Sequence, residues 1–200
     1  MAEKLTIGVL ALQGAFAEHE TMLQALRADV REIRQGKDLN DDLAGLIIPG
    51  GESTVQSKLL HELGLFEPLR QKILQGLPVL ATCAGLILLA REVSNDEPSL
   101  ATLPVRVRRN AYGRQLGSFA LAGDVAGIPD FPLRFIRAPY IEACLDKDVQ
   151  VLNETEGHIT AVRYRNQLAM AFHPELTSDL RIHSLFLDMV AKNKELALGA

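Results

Sequence analysis

Two stretches of this chain are apolar throughout rather than at alternate positions: Thr6 to Leu12, and Leu77 to Ala90. A strand with one wet face alternates apolar and polar residues. An unbroken apolar run marks a strand buried on both faces, which is the habit of parallel sheets covered by helices. Helical patterns follow such runs here. Phe16 to Ala28 reads as a helix, Val30 to Arg34 and Gly45 to Ile48 as strands, and Ser53 to Leu60 and Phe66 to Gln75 as helices. Pro78 to Thr82 is a further strand and Ala84 to Glu92 the helix after it. This alternation predicts an α/β fold with a mostly parallel central sheet flanked by helices.

The pattern changes from about Leu103. Val105 to Arg108, Gly117 to Ala122, Leu133 to Arg137, Val149 to Asn153, Ile159 to Arg165 and Gln167 to Phe172 read as short strands joined by turns, with Asn166 in a tight hairpin turn. An antiparallel section is therefore expected in the second half. A last helix is expected from Ser178 to Lys192, capped by Thr177. The length of 200 residues suits one domain over the whole chain, 1–200.

The second apolar run places Cys83 where strand passes into helix. Ala81 and Gly85, two residues to either side, are small enough for a sharp turn. Such an elbow lifts the side chain clear of the sheet and points it at a helix N-terminus, where partial positive charge favours thiolate. A free thiol is only a few per cent ionised at neutral pH, with a pKa of about 8.5, so a nucleophile needs a base. His173, in Ala171-Phe172-His173-Pro174-Glu175, ends another apolar strand and should reach the same sheet edge. Pro174 keeps the backbone extended, and Glu175 can turn back to orient the imidazole. Cys83 alone reads equally as an inert core thiol; Cys83 with His173 and Glu175 reads as a catalytic triad.

Pro49-Gly50-Gly51-Glu52-Ser53 follows a strand as well. Its glycines leave backbone N–H groups open, which suits an oxyanion hole built from the N–H groups of Gly51 and Ala84. The same residues also read as a plain tight turn before a helix. No Gly-Lys-Ser/Thr follows, against a phosphate loop. His19, His61, His158 and His183 read as surface or core residues without metal-ligand spacing, and Cys144 as a structural thiol.

A net charge of −4 argues against nucleic acid or an anionic membrane as partner. No apolar run reaches the roughly 18 to 20 residues that span a bilayer. Met1-Ala2-Glu3-Lys4 lacks a signal-peptide layout. Two cysteines make no disulfide framework. A cytoplasmic location is expected.

Six segments in order carry a resemblance. They are Ile7-Gly8-Val9-Leu10-Ala11-Leu12-Gln13-Gly14, Leu46-Ile47-Ile48-Pro49-Gly50-Gly51-Glu52-Ser53-Thr54, and Thr82-Cys83-Ala84-Gly85-Leu86-Ile87-Leu88-Leu89-Ala90. After them come Arg109-Asn110-Ala111-Tyr112-Gly113-Arg114-Gln115, Phe135-Ile136-Arg137-Ala138-Pro139-Tyr140-Ile141, and Phe172-His173-Pro174-Glu175-Leu176-Thr177. The chain resembles the class I (triad-type) glutamine amidotransferases, and within them the glutaminase subunits of pyridoxal 5′-phosphate synthase. The resemblance implies a flavodoxin-like fold and hydrolysis of L-glutamine to L-glutamate and ammonia through a γ-glutamyl thioester. It implies Cys83, His173 and Glu175 as the triad, and Gly50, Gly51, Glu52, Arg109, Ile136 and Arg137 as the glutamine-binding positions. It implies no metal or organic cofactor, and both a hydrolase and a lyase label. The implied partner is a synthase subunit that takes the ammonia into vitamin B6 and whose docking raises a weak glutaminase activity. Gln13 is expected to couple the oxyanion loop to that partner. The class usually has Gly two residues before the nucleophile, where this chain has Ala81. A glutaminase subunit of histidine or purine synthesis, and a non-enzymatic flavodoxin-like binding module, remain as alternatives.

Overall fold

A computed structural model describes residues 5–109 and 118–198. In the first half β1 (Thr6–Leu10), β2 (Asp29–Ile33), β3 (Gly45–Ile48) and β4 (Val79–Thr82) alternate with α1 (Phe16–Ala25), α2 (Ser53–Glu62), α3 (Phe66–Leu74) and α4 (Ala84–Leu89). The second half adds β5 (Ala90–Val93), β6 (Leu103–Arg108), β7 (Ser118–Val125), β8 (Ile128–Ile136), β9 (Tyr140–Cys144), β10 (Gln150–Thr155), β11 (His158–Tyr164) and β12 (Gln167–Met170). The long α5 (Arg181–Leu198) closes the order.

The main sheet runs β2-β1-β3-β4-β12-β11-β9-β6-β5, with β10 beside β11. Strands β2, β1, β3, β4 and β12 are parallel neighbours. From β12 through β11 and β9 to β6 the pairing is antiparallel. Every residue of β3, β4 and β12 is buried; the polar Thr82 and Gln167 among them are hydrogen-bonded to the Gly50 N–H and to Thr102. Strand β2 alternates with charge because it lies at the sheet edge. Strands β7 and β8 form a separate two-stranded ribbon.

Helix packing on the sheet is close where glycine allows it. A β-carbon on Gly45 would stand 2.8 Å from Val190 Cγ2 and 3.0 Å from Phe186 Cζ, so α5 lies directly on β3. One on Gly85 would strike the carbonyl oxygen of Ile48, which sets α4 against β3 and β4.

Three expectations are corrected. The helix after Cys83 ends at Leu89, and Ala90 to Val93 is strand β5. Arg91 and Glu92 are exposed there, and Glu92 pairs with Arg106 across to β6 at 2.7 Å. Strand β9 has no counterpart among the expected strands; Pro139 precedes it, and only Ile141 of its five residues is fully buried. Thr177 does not cap α5. It is extended, its hydroxyl donates to the Pro174 carbonyl at 2.8 Å, and Asp179 Oδ1 instead accepts the Arg181 N–H at 3.0 Å. No helix among the described residues is long and apolar enough to cross a membrane.

Candidate active site

Parallel strands bring the candidate residues to one edge. Gln13 follows β1, Gly50 follows β3, Cys83 follows β4 and His173 follows β12. These four strands point the same way, so all four residues lie beyond their carboxyl ends, where open α/β sheets bind ligands.

Cys83 has φ +47° and ψ −100°, a backbone conformation that L residues rarely adopt. The turn is fixed from both sides. The Cys83 N–H donates to the Met170 carbonyl on β12 at 2.8 Å, and the Ile87 N–H donates to the Cys83 carbonyl at 3.3 Å. Ala81 in place of glycine does not prevent the elbow: its methyl is fully buried, and Gly85 leaves room above it. The thiol lies 3.9 Å from the Ile136 carbonyl oxygen at the end of β8.

His173 stands beside Cys83, with its Nδ1 2.7 Å from Glu175 Oε1. Both residues are buried. Pro174–Leu176 form a single 3-10 turn, which brings the carboxylate of Glu175 back to the His173 ring. Burial opposes charge on His173. Hydrogen bonds to Cys83 and Glu175, with their negative charge, outweigh it and raise its pKa to about 10. Burial likewise disfavours a charged Glu175, yet the neighbouring His19 and His173 hold its pKa below the ordinary value.

The glycine loop is held on three sides. The Gly50 N–H donates to Thr82 Oγ1 at 3.0 Å, and its carbonyl accepts from the Ala15 N–H at 3.0 Å. Gln13 Oε1 accepts the Glu52 N–H at 2.8 Å. Gln56 Nε2 donates to the carbonyls of Gln13 at 2.8 Å and Pro49 at 3.2 Å. Gly51 is pressed against Gln13: a β-carbon there would meet its Oε1. Ala84 opens α4, in the first turn, where backbone N–H groups have no acceptor within the helix.

A cavity of about 290 Å³ opens over Cys83. Of the residues expected from the sequence, Gly51, Glu52, Cys83, Arg109, Ile136, Arg137 and His173 line it, together with Gln13, Ser53 and Ile87. Gly50, Ala84 and Glu175 stand behind that lining. Arg109 pairs with Asp96, and Arg137 Nη2 lies 3.5 Å from Glu52 Oε1 across the mouth. Arg137, like Cys83, has a positive φ, +42°. The segment Asn110 to Gln115 lies outside the described residues. Among the described residues no group of three or more His, Cys, Asp and Glu side chains could hold a metal ion.

Sequence reasoning missed the layer beneath. His19 and His183, expected as ordinary surface or core residues, are buried together behind His173 and Glu175. His19 Nδ1 is 2.9 Å from His183 Nε2, and His19 Nε2 is 3.2 Å from Thr82 Oγ1 and 3.4 Å from Glu175 Oε2. A signal was present: His183 lies next to Ile182 on the apolar face of the last helix.

The model of the SNO glutamine amidotransferase family matches residues 9–192. The chain is 58% identical over 191 residues to the pyridoxal 5′-phosphate synthase subunit PdxT of Desulfitobacterium hafniense (strain DSM 10664 / DCB-2), covering 95% of this chain and 96% of that one. It is 53% identical over 187 residues to the subunit of the same name from Methanocorpusculum labreanum, covering 94% and 98%. A crystal structure of a glutamine amidotransferase superposes with a TM-score of 0.87 at 41% identity, over 92% of this chain and 98% of that one. A glutamine amidotransferase from Thermotoga maritima shares the fold, with a TM-score of 0.61 at 14% identity, over 96% and 86%. These likenesses overturn the lyase label. The matching family is one of glutamine amidotransferases, whose glutaminase step adds water across an amide C–N bond, whereas a lyase breaks a bond by elimination.

Proposed function

The chain belongs to the SNO glutamine amidotransferase family, and from that premise we propose that it is the glutaminase subunit of a pyridoxal 5′-phosphate synthase. It hydrolyses L-glutamine to L-glutamate and ammonia. The observation that carries this reading is His173 standing between the Cys83 thiol and Glu175 at the floor of a small cavity. The chain acts as one glutaminase domain over residues 1–200. Two free thiols, Cys83 and Cys144, fit a cytoplasmic location.

Arg109 and Arg137, at the cavity wall, suit the α-carboxylate of glutamine, and the carboxamide then reaches Cys83. The sulfur attacks the amide carbon. The N–H groups of Gly51 and Ala84 receive the oxyanion, and His173 gives its proton to the departing ammonia. Acylation removes the hydrogen bond and the charge of Cys83, two of the four causes that raise His173. Its proton affinity therefore falls at the moment it must act as base. Oriented by Glu175, it takes a proton from water, which attacks the thioester carbonyl; the thiolate leaves, glutamate is released, and His173 keeps the proton, which restores the starting pair. General acid–base help of this kind contributes roughly 10²–10⁴-fold.

The partner is a synthase subunit that receives the ammonia, as the relatives' designation as synthase subunits supports. Nucleic acid and membrane are not partners of an acidic chain of this kind. The test is glutamate formation by the purified chain, with and without the synthase partner. The rate is expected to rise on its addition, and Cys83→Ala abolishes it. Full glutaminase activity in Cys83→Ala would end this reading.

A further inference from the structure

Behind the triad lies a buried polar layer that the proposed chemistry does not use. Glu175 spends Oε1 on His173, while Oε2 is buried and meets no donor at good hydrogen-bond geometry. The N–H in reach is that of His19, whose Nε2 is 3.4 Å from Oε2. A buried carboxylate oxygen without a donor is costly, so the proton on that imidazole matters.

Two neutral tautomers are open to His19, and the surroundings choose between them. With the proton on Nδ1, His19 donates to His183 Nε2. His183 must then carry its own proton on Nδ1, a buried atom with no partner. The bare Nε2 of His19 would also face the carboxylate, lone pair against anion. With the proton on Nε2, His183 Nε2–H donates to His19 Nδ1, and His183 Nδ1 is left as a bare ring nitrogen. His19 then turns an N–H toward Thr82 Oγ1 and Glu175 Oε2 together. Thr82 Oγ1 has two lone pairs, one for His19 and one for the Gly50 N–H. Burial favours the neutral form of both rings: it lowers His19 against the pull of Glu175, and lowers His183 to about 3.

We propose that His19, in the Nε2–H tautomer set by His183, is a positioning residue of the triad. It is the donor to Glu175 Oε2, and through Thr82 it ties that carboxylate to the Gly50 loop. The proposal rests on the glutaminase reading for its kinetic consequence but not for its tautomer. The groups that face Glu175 are His173 and His19; those that face His19 are Glu175, His173, His183 and Glu18 of its own helix.

The sign of the pH effect follows. Without the His19 donor, Glu175 takes up a proton at higher pH, and the acid limb of the kcat/KM profile moves upward. The experiment compares His19→Leu and His19→Gln in the complex with the synthase subunit, with rates referred to Cys83 sites titrated by a glutamine-analogue electrophile. His19→Leu lowers kcat roughly 10- to 100-fold, the worth of a hydrogen bond to a charged group. KM stays within about twofold because no substrate contact is lost. Glutamine supplies an N–H at the same reach, so His19→Gln restores most of kcat and the wild-type acid limb. A His19→Leu enzyme with unchanged kcat per site and an unmoved acid limb would overturn the proposal.

Nitrogen-15 NMR of the wild-type chain, labelled at histidine, reads the tautomer without substrate. His19 protonated at Nε2 is expected, and protonation at Nδ1 overturns the proposal even if every variant misfolds. If the wild-type complex makes no glutamate, the glutaminase reading fails, and the NMR result still decides the tautomer.

Discussion

Gly50 lies so close to the imidazole of His173 that a β-carbon there would stand 2.8 Å from Nδ1 and 3.3 Å from Cβ of Cys83. The glycine is a spacer between the loop and the His173 ring. Its φ is not in the left-handed region, so backbone strain is not the reason for it. Gly50→Ala should push the ring off both Cys83 and Glu175. Misplacement by about 1 Å costs on the order of 10²-fold, so kcat/KM for glutamine should fall at least that far. Steady-state glutamate formation checks it.

The elbow at Cys83 stores strain that glycine would release. Cys83→Ala and Cys83→Gly both remove the thiol and both abolish activity. Glycine takes φ +47° without the β-carbon penalty. Cys83→Gly should therefore be more stable than Cys83→Ala by roughly 1 kcal/mol. Urea unfolding of the two inactive variants measures the difference, and equal midpoints would mean the turn is unstrained.

Asp96 holds Arg109 at the cavity wall. Arg109→Ala should raise KM for glutamine roughly 10- to 100-fold, the worth of a charge-assisted pair with the α-carboxylate. Asp96→Ala should move KM the same way by less, since it frees the guanidinium without removing it. A loss confined to kcat in Arg109→Ala would assign that residue elsewhere.

Stability should peak between about pH 6 and 7. His19 and His183 have folded pKa values below the ordinary one, His183 at about 3. Below about pH 6.5 the unfolded chain binds more protons there, and stability falls by about 1.4 kcal/mol per pH unit for each such proton. Glu175, also lowered, adds to the loss as pH falls through its folded value. His173 acts in the other direction. Its folded pKa is raised to about 10, so its contribution is complete below about 6.5 and is lost as pH rises to 10. Denaturant midpoints from pH 4 to 10 should trace a dome, and a flat profile would contradict the charge states assigned to these histidines.

The parallel half was legible because strands buried on both faces leave unbroken apolar runs. Gly45 to Ile48 agrees to the residue, and the strand before Cys83 to within one. Strand β5 was hidden because Leu88 and Leu89 continue smoothly into it, and only the exposed Arg91 and Glu92 mark the change. The residues that meet over the cavity were visible as chemical types at strand ends. His19 was not: nothing in its own helix marks it as buried, and its partners Thr82, Glu175 and His183 are brought to it only by tertiary packing. Such a contact has no local signature for a sequence to carry.

Strand β12 enters the sheet between β4 and β11, although almost the whole chain precedes it. During synthesis, then, Cys83 leaves the ribosome long before the strand that delivers His173. Until that strand arrives the sheet has a gap at its centre, beside β4. A chain cut short there lacks both the strand that closes the sheet beside β4 and His173 after it. Such a chain leaves the edge of β4 unpaired, the kind of edge that invites pairing with other chains.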